Sequence, residues 1–179
     1  MEHNLFLISG LSGTGKTTLG KYIASKHNAT FVDQDSYYKK NKPLITLSNG
    51  TTVKNWDCVE AIDWNLMIKD IMSLLEDTDV ILVGFALRPK ELNILSTKVK
   101  YHVELIYGNN DIDYCKQSRC QAKKIDCVQD SLIVDEVVWP FYLETRKKIH
   151  PNVVIPVYHN NIRKSIQQLY EEYINNIKK

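Results

Sequence analysis

The stretch Gly10-Leu11-Ser12-Gly13-Thr14-Gly15-Lys16-Thr17 has the residue types and spacing of a phosphate grip, G-x-x-x-x-G-K-[ST]. Glycines let the backbone turn tightly and aim successive N–H groups at phosphate oxygens. A helix starting at the end of the loop adds the positive end of its dipole. Lys16 would meet the β- and γ-phosphates as a point charge, and the Thr17 hydroxyl would hold Mg²⁺. The expected ligand is a nucleoside triphosphate, gripped through Gly10, Ser12, Gly13, Thr14, Gly15, Lys16, Thr17 and Thr18. A glycine-rich turn of purely structural role is the alternative, and the flanking sequence speaks against it.

Such a loop works only between a strand and a helix. The run Leu5-Phe6-Leu7-Ile8 reads as a buried parallel strand entering it, and Thr17 to Ala24 as the first turns of a helix. Thr30-Phe31-Val32-Asp33 predicts a second strand, and Lys39 to Asn55, with Pro43 and Asn49-Gly50, an irregular connection. Ala61 to Leu75 has helical spacing, Val80-Ile81-Leu82-Val83 reads as a buried strand, and Val99 to Ile106 as another apolar run. Helices are expected over Asp111 to Lys124 and Val134 to Lys148, and a last strand at Val153-Val154-Ile155. The final helix would carry Ile162, Ile166, Leu169, Tyr173, Ile174 and Ile177 on one buried face. This alternation implies a parallel sheet with helices on both faces.

Ligands bind such sheets at the carboxyl ends of the strands. Asp33, Asp35, Gly84 and the Lys16 loop all fall on that edge. Asp35, just past the second strand, is placed to orient or deprotonate an acceptor hydroxyl and to help Thr17 hold the metal. The competing role for a lone aspartate there is a helix cap.

Composition narrows the classes. At 179 residues the chain is expected to be one domain, 1–179. A net charge of +2 with 25% charged residues offers no polybasic stripe, so nucleic acid is not an expected partner. Cys58, Cys115, Cys120 and Cys127 lack C-x-x-C spacing and are expected as reduced thiols in a cytoplasmic protein, without a metal site or disulfide frame. The amino end does not read as a signal peptide, no run is long enough to span a bilayer, and a monomer or weak homo-oligomer is expected.

Three blocks carry a family resemblance. Gln34-Asp35-Ser36-Tyr37-Tyr38-Lys39, Asn55-Trp56-Asp57-Cys58-Val59-Glu60-Ala61-Ile62-Asp63 and Val138-Trp139-Pro140-Phe141-Tyr142-Leu143-Glu144-Thr145-Arg146 resemble, in order, segments of the nicotinamide riboside kinases and, more distantly, the uridine kinases. With the loop they cover about residues 5 to 149. The resemblance implies a P-loop NTPase fold, a three-layer α/β/α sandwich with a parallel sheet and a small helical lid at about 116–133. It implies transfer of phosphate from ATP to the ribose 5′-hydroxyl of nicotinamide riboside, giving nicotinamide mononucleotide. Asp35 matches the catalytic carboxylate, Lys39 a lysine near the substrate, and Asp57 the carboxylate that accepts from the ribose hydroxyls. Trp56 replaces an aromatic residue that stacks on nicotinamide, a sound exchange because an indole face attracts a pyridinium; core packing is its other reading. Arg119 falls where an arginine reaches the ribose. Lys123 and Lys124 follow on the lid and could stabilise γ-phosphate charge, or form a solvated helix end. Trp139 and Tyr142 are expected to pack the post-lid helix.

Three departures bear on chemistry. Val83-Gly84-Phe85 stands where the family has E-G-F, leaving Asp33 as a candidate replacement for the missing carboxylate. Gln117, Ser118, Cys120, Gln121 and Ala122 replace an arginine-rich run and a second stacking tyrosine. Ile125 to Ile133 replaces a loop rich in Pro and Gly. A kinase for uridine, cytidine or another nucleoside is the nearest rival, a nucleotide-binding regulator weakened in chemistry the rival of another class, and a nucleic-acid 5′-hydroxyl kinase a weaker third.

Overall fold

The apolar run at the amino end becomes β1 (Leu5–Gly10), which enters the phosphate loop, and α1 (Lys16–His27) begins inside that loop. The structure, a computed structural model, describes residues 2–108, 111–123 and 126–178, except the side chains of 122 and 123. The chain continues through β2 (Thr30–Asp33), the short strands β3 (Leu44–Thr46) and β4 (Thr52–Lys54), α2 (Trp64–Leu74) and β5 (Val80–Gly84). Next come α3 (Pro89–Leu92), β6 (Val99–Ile106), α4 (Asp111–Lys123), α5 (Cys127–Ile133) and α6 (Trp139–Arg146). Then β7 (Val153–Pro156), β8 (Tyr158–His159), β9 (Ile162–Arg163) and α7 (Ile166–Ile177) complete it.

Five strands form one parallel sheet in the order β2-β5-β1-β6-β7. β1 and β5 are apolar almost throughout, as strands covered on both faces must be. Alternate residues feed two cores. Ile8, Val83, Val103, Leu105 and Ile155 meet Leu19, Ile23, Val138, Tyr142, Leu169 and Tyr173 on one face. Leu5, Leu7, Val80 and Leu82 meet Met67, Ile71, Leu92 and Leu95 on the other. The architecture is thus the expected three-layer α/β sandwich.

Local structure departs from the expectations in several places. The connection Lys39 to Asn55 contains the antiparallel β3–β4 hairpin, turned at Gly50 with φ 82°, a value that suits glycine. The helix expected from Ala61 starts at Trp64, where Asp63 accepts from the Leu66 N–H at 3.1 Å as its cap. Within Ile125 to Ile133, α5 forms behind an Asp126 cap. The helix expected over Val134 to Lys148 opens as a π turn at Val134–Val138, just ahead of Pro140, which has no N–H to donate. Ile162 does not belong to the final helical stripe. It lies on β9 and is 72% exposed, and α7 starts after Ser165, whose side chain and that of Gln168 form a capping box.

The cysteine expectation is also corrected. Cys120 and Cys127 form a disulfide, with Cα atoms 5.1 Å apart, because α4 ends and α5 begins side by side. Cys58 and Cys115 are free thiols. Among the described residues no helix is long and apolar enough to cross a membrane.

Candidate functional site

Where β1 meets α1, the backbone does what the glycines permit. Gly13 (φ 83°) and Gly15 (φ 95°) lie in the left-handed region, and a Cβ on Gly13 would collide with the Tyr107 hydroxyl and Ser118. Ser12, Gly13, Lys16 and Thr17 line a cleft of about 810 Å³ at the carboxyl edge of the sheet. Gly10, Thr14 and Gly15 shape the loop from outside that lining, and the Thr14 hydroxyl bonds back to Leu11 O at 2.9 Å. Thr18 is exposed on the first turn of α1. Lys16 Nζ donates to Leu11 O at 2.9 Å. Burial lowers the Lys16 pKa, while the carboxylates of Asp35 and Asp33 act in the opposite sense.

The two aspartates at and just past the end of β2 divide the roles weighed from sequence. Asp33 is the cap: Oδ1 accepts the Asp35 N–H at 3.1 Å, opening the short 3₁₀ turn Gln34–Tyr37. Its other oxygen, Oδ2, accepts the Thr17 hydroxyl at 3.2 Å. Asp35 is exposed and lines the cleft with Asp33 and Thr17. Gln34 between them points inward, where Oε1 accepts the N–H groups of Phe85 (2.9 Å) and Ala86 (3.3 Å). That glutamine holds the end of β5 against β2.

The remaining wall comes from the segment that includes the hairpin. Tyr38 bridges to Ile62, and Lys39 N–H donates to Ala61 O at 2.9 Å, so the residues after Asp35 lie beside those after Asp57. Asn55 Oδ1 accepts the Asp57 N–H at 3.0 Å, a turn that presents both Trp56 and Asp57. Trp56 is 47% exposed and lines the cleft with Asp57, Tyr38, Ile45 and Val53; it is not a core residue. Burial, then the nearby Asp35 and Asp57, raises the Tyr38 pKa well above its ordinary value, so its hydroxyl stays neutral. Lys39 is exposed and lies outside the lining. The lysine near the indole is Lys42, with Nζ 3.7 Å from the ring centroid.

From α4, α5 and the π turn after it, Ser118, Arg119, Asp130, Ile133 and Val137 complete the cleft. Arg119 is only 7% exposed, and its Nε and one terminal nitrogen donate to the two Asp130 oxygens, each at 2.9 Å. It lines the cleft already paired in the two-pronged geometry that guanidinium and carboxylate favour. The side chain of Lys123, and Lys124 altogether, lie outside the described residues. Val83, at the family glutamate position, is wholly buried against Gly20 and Phe31 in the core under α1; Gly84 and Phe85 face the cleft instead.

Sequence reasoning missed several contacts. Tyr107 donates its hydroxyl to Ser12 O at 2.6 Å and lies 3.0 Å from Ser118 Oγ, tying the loop to α4. Burial pushes its pKa up to about 12. Arg163, on the β8–β9 hairpin, donates to Gly13 O at 2.8 Å. No motif marks either residue; a tyrosine at the end of a buried strand was the available signal.

A shikimate kinase family model matches residues 12–45. The chain is 30% identical over 107 residues to a nicotinamide riboside kinase of Saccharomyces cerevisiae, covering 59% of this chain and 35% of that protein. It is 29% identical over 114 residues to a shikimate kinase of Staphylococcus aureus, covering 62% and 60%. The chain thus spans about a third of the first relative and three fifths of the second. The crystal structure of a shikimate kinase from Bacteroides thetaiotaomicron superposes with a TM-score of 0.60 at 18% identity, over 98% of this chain and 99% of that one. The fold is that of the P-loop kinases. The two matched sequences have different acceptors in their names and match equally well, so the choice of acceptor rests on the cleft itself.

Two side chains of the cleft offer the kind of oxygen donor that magnesium takes. Thr17 Oγ1 and Asp33 Oδ2 are hard oxygen donors already in contact, with Asp35 on the same wall. Among the described residues no group of three or more His, Cys, Asp or Glu could hold a metal. Such a site suits Mg²⁺, which keeps waters and takes its other ligands from nucleotide phosphates.

Proposed function

We propose that this chain is an ATP-dependent small-molecule kinase whose acceptor is the ribose 5′-hydroxyl of nicotinamide riboside. The observation that carries the reading is one cleft lined both by Lys16 and Thr17 and by Trp56 and Asp57, with Asp35 also on its wall. Lys16 would exchange its bond to Leu11 O for β- and γ-phosphate oxygens, beside the loop N–H groups. Thr17, with Asp33 and Asp35, would hold Mg²⁺, which supplies charge neutralisation on the phosphates. Asp35 orients the 5′-hydroxyl and takes its proton as the new O–P bond forms and the bond to the β,γ-bridging oxygen breaks, leaving ADP. Asp57 accepts from the ribose hydroxyls, and the Trp56 face meets the pyridinium.

The charges of the acceptor wall favour this over a carboxylic acid such as shikimate. Asp35, Asp57 and Asp130 line it, and Arg119, which could clamp a carboxylate, is bound two-pronged to Asp130. A neutral or cationic polyol meets no repulsion from these carboxylates, and the cations near it are Lys54 of the lining and Lys42 at the indole.

The test is ADP release with nicotinamide riboside, uridine, cytidine, shikimate and gluconate. Turnover is expected with nicotinamide riboside, and Asp35→Asn should lower kcat by about 10²–10⁴ while ATP still binds. Turnover with shikimate alone would overturn the reading. ATP binding without turnover of any acceptor would mark a nucleotide-binding regulator instead.

A further inference from the structure

One cation lies where the acceptor reading needs another. Lys42 Nζ is 3.7 Å from the Trp56 ring centroid and 5.5 Å from that of Tyr38, and it donates to Lys39 O at 2.6 Å. The two rings meet edge to face at 83°, with centroids 5.0 Å apart. An ammonium is therefore held by two aromatic rings and a carbonyl, the arrangement by which aromatic cages hold cationic ligands. Both rings also line the cleft, and Trp56 is half exposed.

A ring's negative face is a limited resource. A cation engaging the indole draws on its quadrupole, so a second cation brought to the same ring gains less and is repelled by the first. A neutral ring, held by apolar contact and stacking, is affected far less. The sequence places Lys42 seven residues after Asp35 and beside Pro43, with nothing in its type or spacing to mark it.

We propose that Lys42 sets the charge preference of the acceptor site by competing with a cationic acceptor ring for the π charge of Trp56. The wild-type chain then accepts pyridinium and neutral bases with affinities closer together than Trp56 alone would allow. This deepens the acceptor reading above and rests on it for the identity of the ring, although the competition itself can be measured without turnover.

The experiment uses the whole chain and two probes of nearly the same shape, N-methylnicotinamide, a pyridinium cation, and nicotinamide, its neutral counterpart. Dissociation constants for both are measured by calorimetry or ligand-observed NMR in the wild type, Lys42→Ala, Trp56→Leu and the double variant. Lys42→Ala should tighten N-methylnicotinamide relative to nicotinamide by about two- to fivefold, as expected for one exposed cation–π contact. In the Trp56→Leu background the same change should leave that ratio unaltered. Weaker cation binding in Lys42→Ala would overturn the proposal by making Lys42 a ligand contact. An equal tightening without the indole would overturn it by reducing Lys42 to general charge repulsion, and no detectable binding of the cation to any variant would overturn it too. The acceptor reading stands or falls separately: a chain that phosphorylates only uridine yet shows the Trp56-dependent ratio shift loses that reading and keeps this one.

Discussion

Val83→Glu would restore by name the carboxylate that the related kinases have before their Gly-Phe pair, and the structure says it should fail. The Val83 side chain has no exposed surface, and its Cγ1 packs so closely on α1 that a Cβ added to Gly20 would stand 2.5 Å from it and 3.0 Å from the Phe31 ring. An ionised carboxylate in that core costs more than protonating it, so the introduced group takes a proton. From an ordinary glutamate value of about 4.3, holding it neutral at pH 7 costs about 4 kcal/mol. Overpacking by the longer side chain adds about 1 kcal/mol or more. The sum, about 5 kcal/mol, is a large part of the 5–15 kcal/mol typical of a domain and should lower the urea midpoint by about 2–3 M. The sign with pH is diagnostic. The introduced carboxyl has a folded pKa above its unfolded one, so the folded state binds the extra proton. The deficit against wild type is smallest near pH 4 and grows by about 1.4 kcal/mol per unit as pH rises, until the folded pKa is passed. Urea unfolding of both proteins at pH 4.5, 5.5 and 7, with ADP release at pH 7, is the assay. An unchanged midpoint at pH 7, a deficit that does not shrink in acid, or raised turnover would each refute the reasoning.

Two further outcomes follow from groups outside the cleft. His102 is 7% exposed, shares a 2.8 Å hydrogen bond with Ser9, and burial pushes its pKa down to about 4; it therefore stabilises the fold above its unfolded value near 6.5 and loses that contribution as pH falls toward 4. His102→Gln should remove about 3 kcal/mol of the acid-induced loss between those limits, read as a flatter plot of unfolding free energy against pH. Excess dithiol should cost about 2 kcal/mol by opening the Cys120–Cys127 bridge, which spans a sequence separation of 7, and lower Tm by about 4–8 °C; the Cys120→Ser, Cys127→Ser double variant should show the lowered Tm with no response to dithiol.

Much of this molecule can be read from sequence where one physical demand dominates. A strand covered on both faces must be apolar throughout, so Leu5-Phe6-Leu7-Ile8 and Val80-Ile81-Leu82-Val83 declare themselves. A backbone that wraps phosphate must have glycine at Gly13 and Gly15. The hairpin of β3 and β4 hides because strands of three residues with Leu44 and Thr52 facing solvent have too little pattern to show. Only Asn49-Gly50 hinted at it. Asp33 and Asp35 look alike in sequence and both line the cleft, and only the hydrogen bonds of Asp33 to Thr17 and to the Asp35 N–H mark it as the cap as well. Cys120 and Cys127 meet because two helix ends meet, which no spacing rule encodes. Arg119 was legible as a site candidate, but its partner Asp130 comes from α5, in the segment that stands in place of the family's Pro- and Gly-rich loop.

The sheet order has a consequence for how this chain comes to exist. β1 leads the sequence yet lies in the middle of the sheet, where Leu5 pairs with Val80 on one side and with Val99 on the other. A chain emerging from the ribosome therefore has its phosphate loop long before it has the walls that shape it, since Gly10 pairs with Leu105 and Ser12 is held by Tyr107. Closing such distant parallel pairs is slow, because the entropy of the intervening chain is lost before the contacts are gained. Nucleotide added to a nascent or truncated chain ending before β6 should gain no purchase. Added to the finished chain it should bind the native state alone and slow the loss of β1 from the sheet.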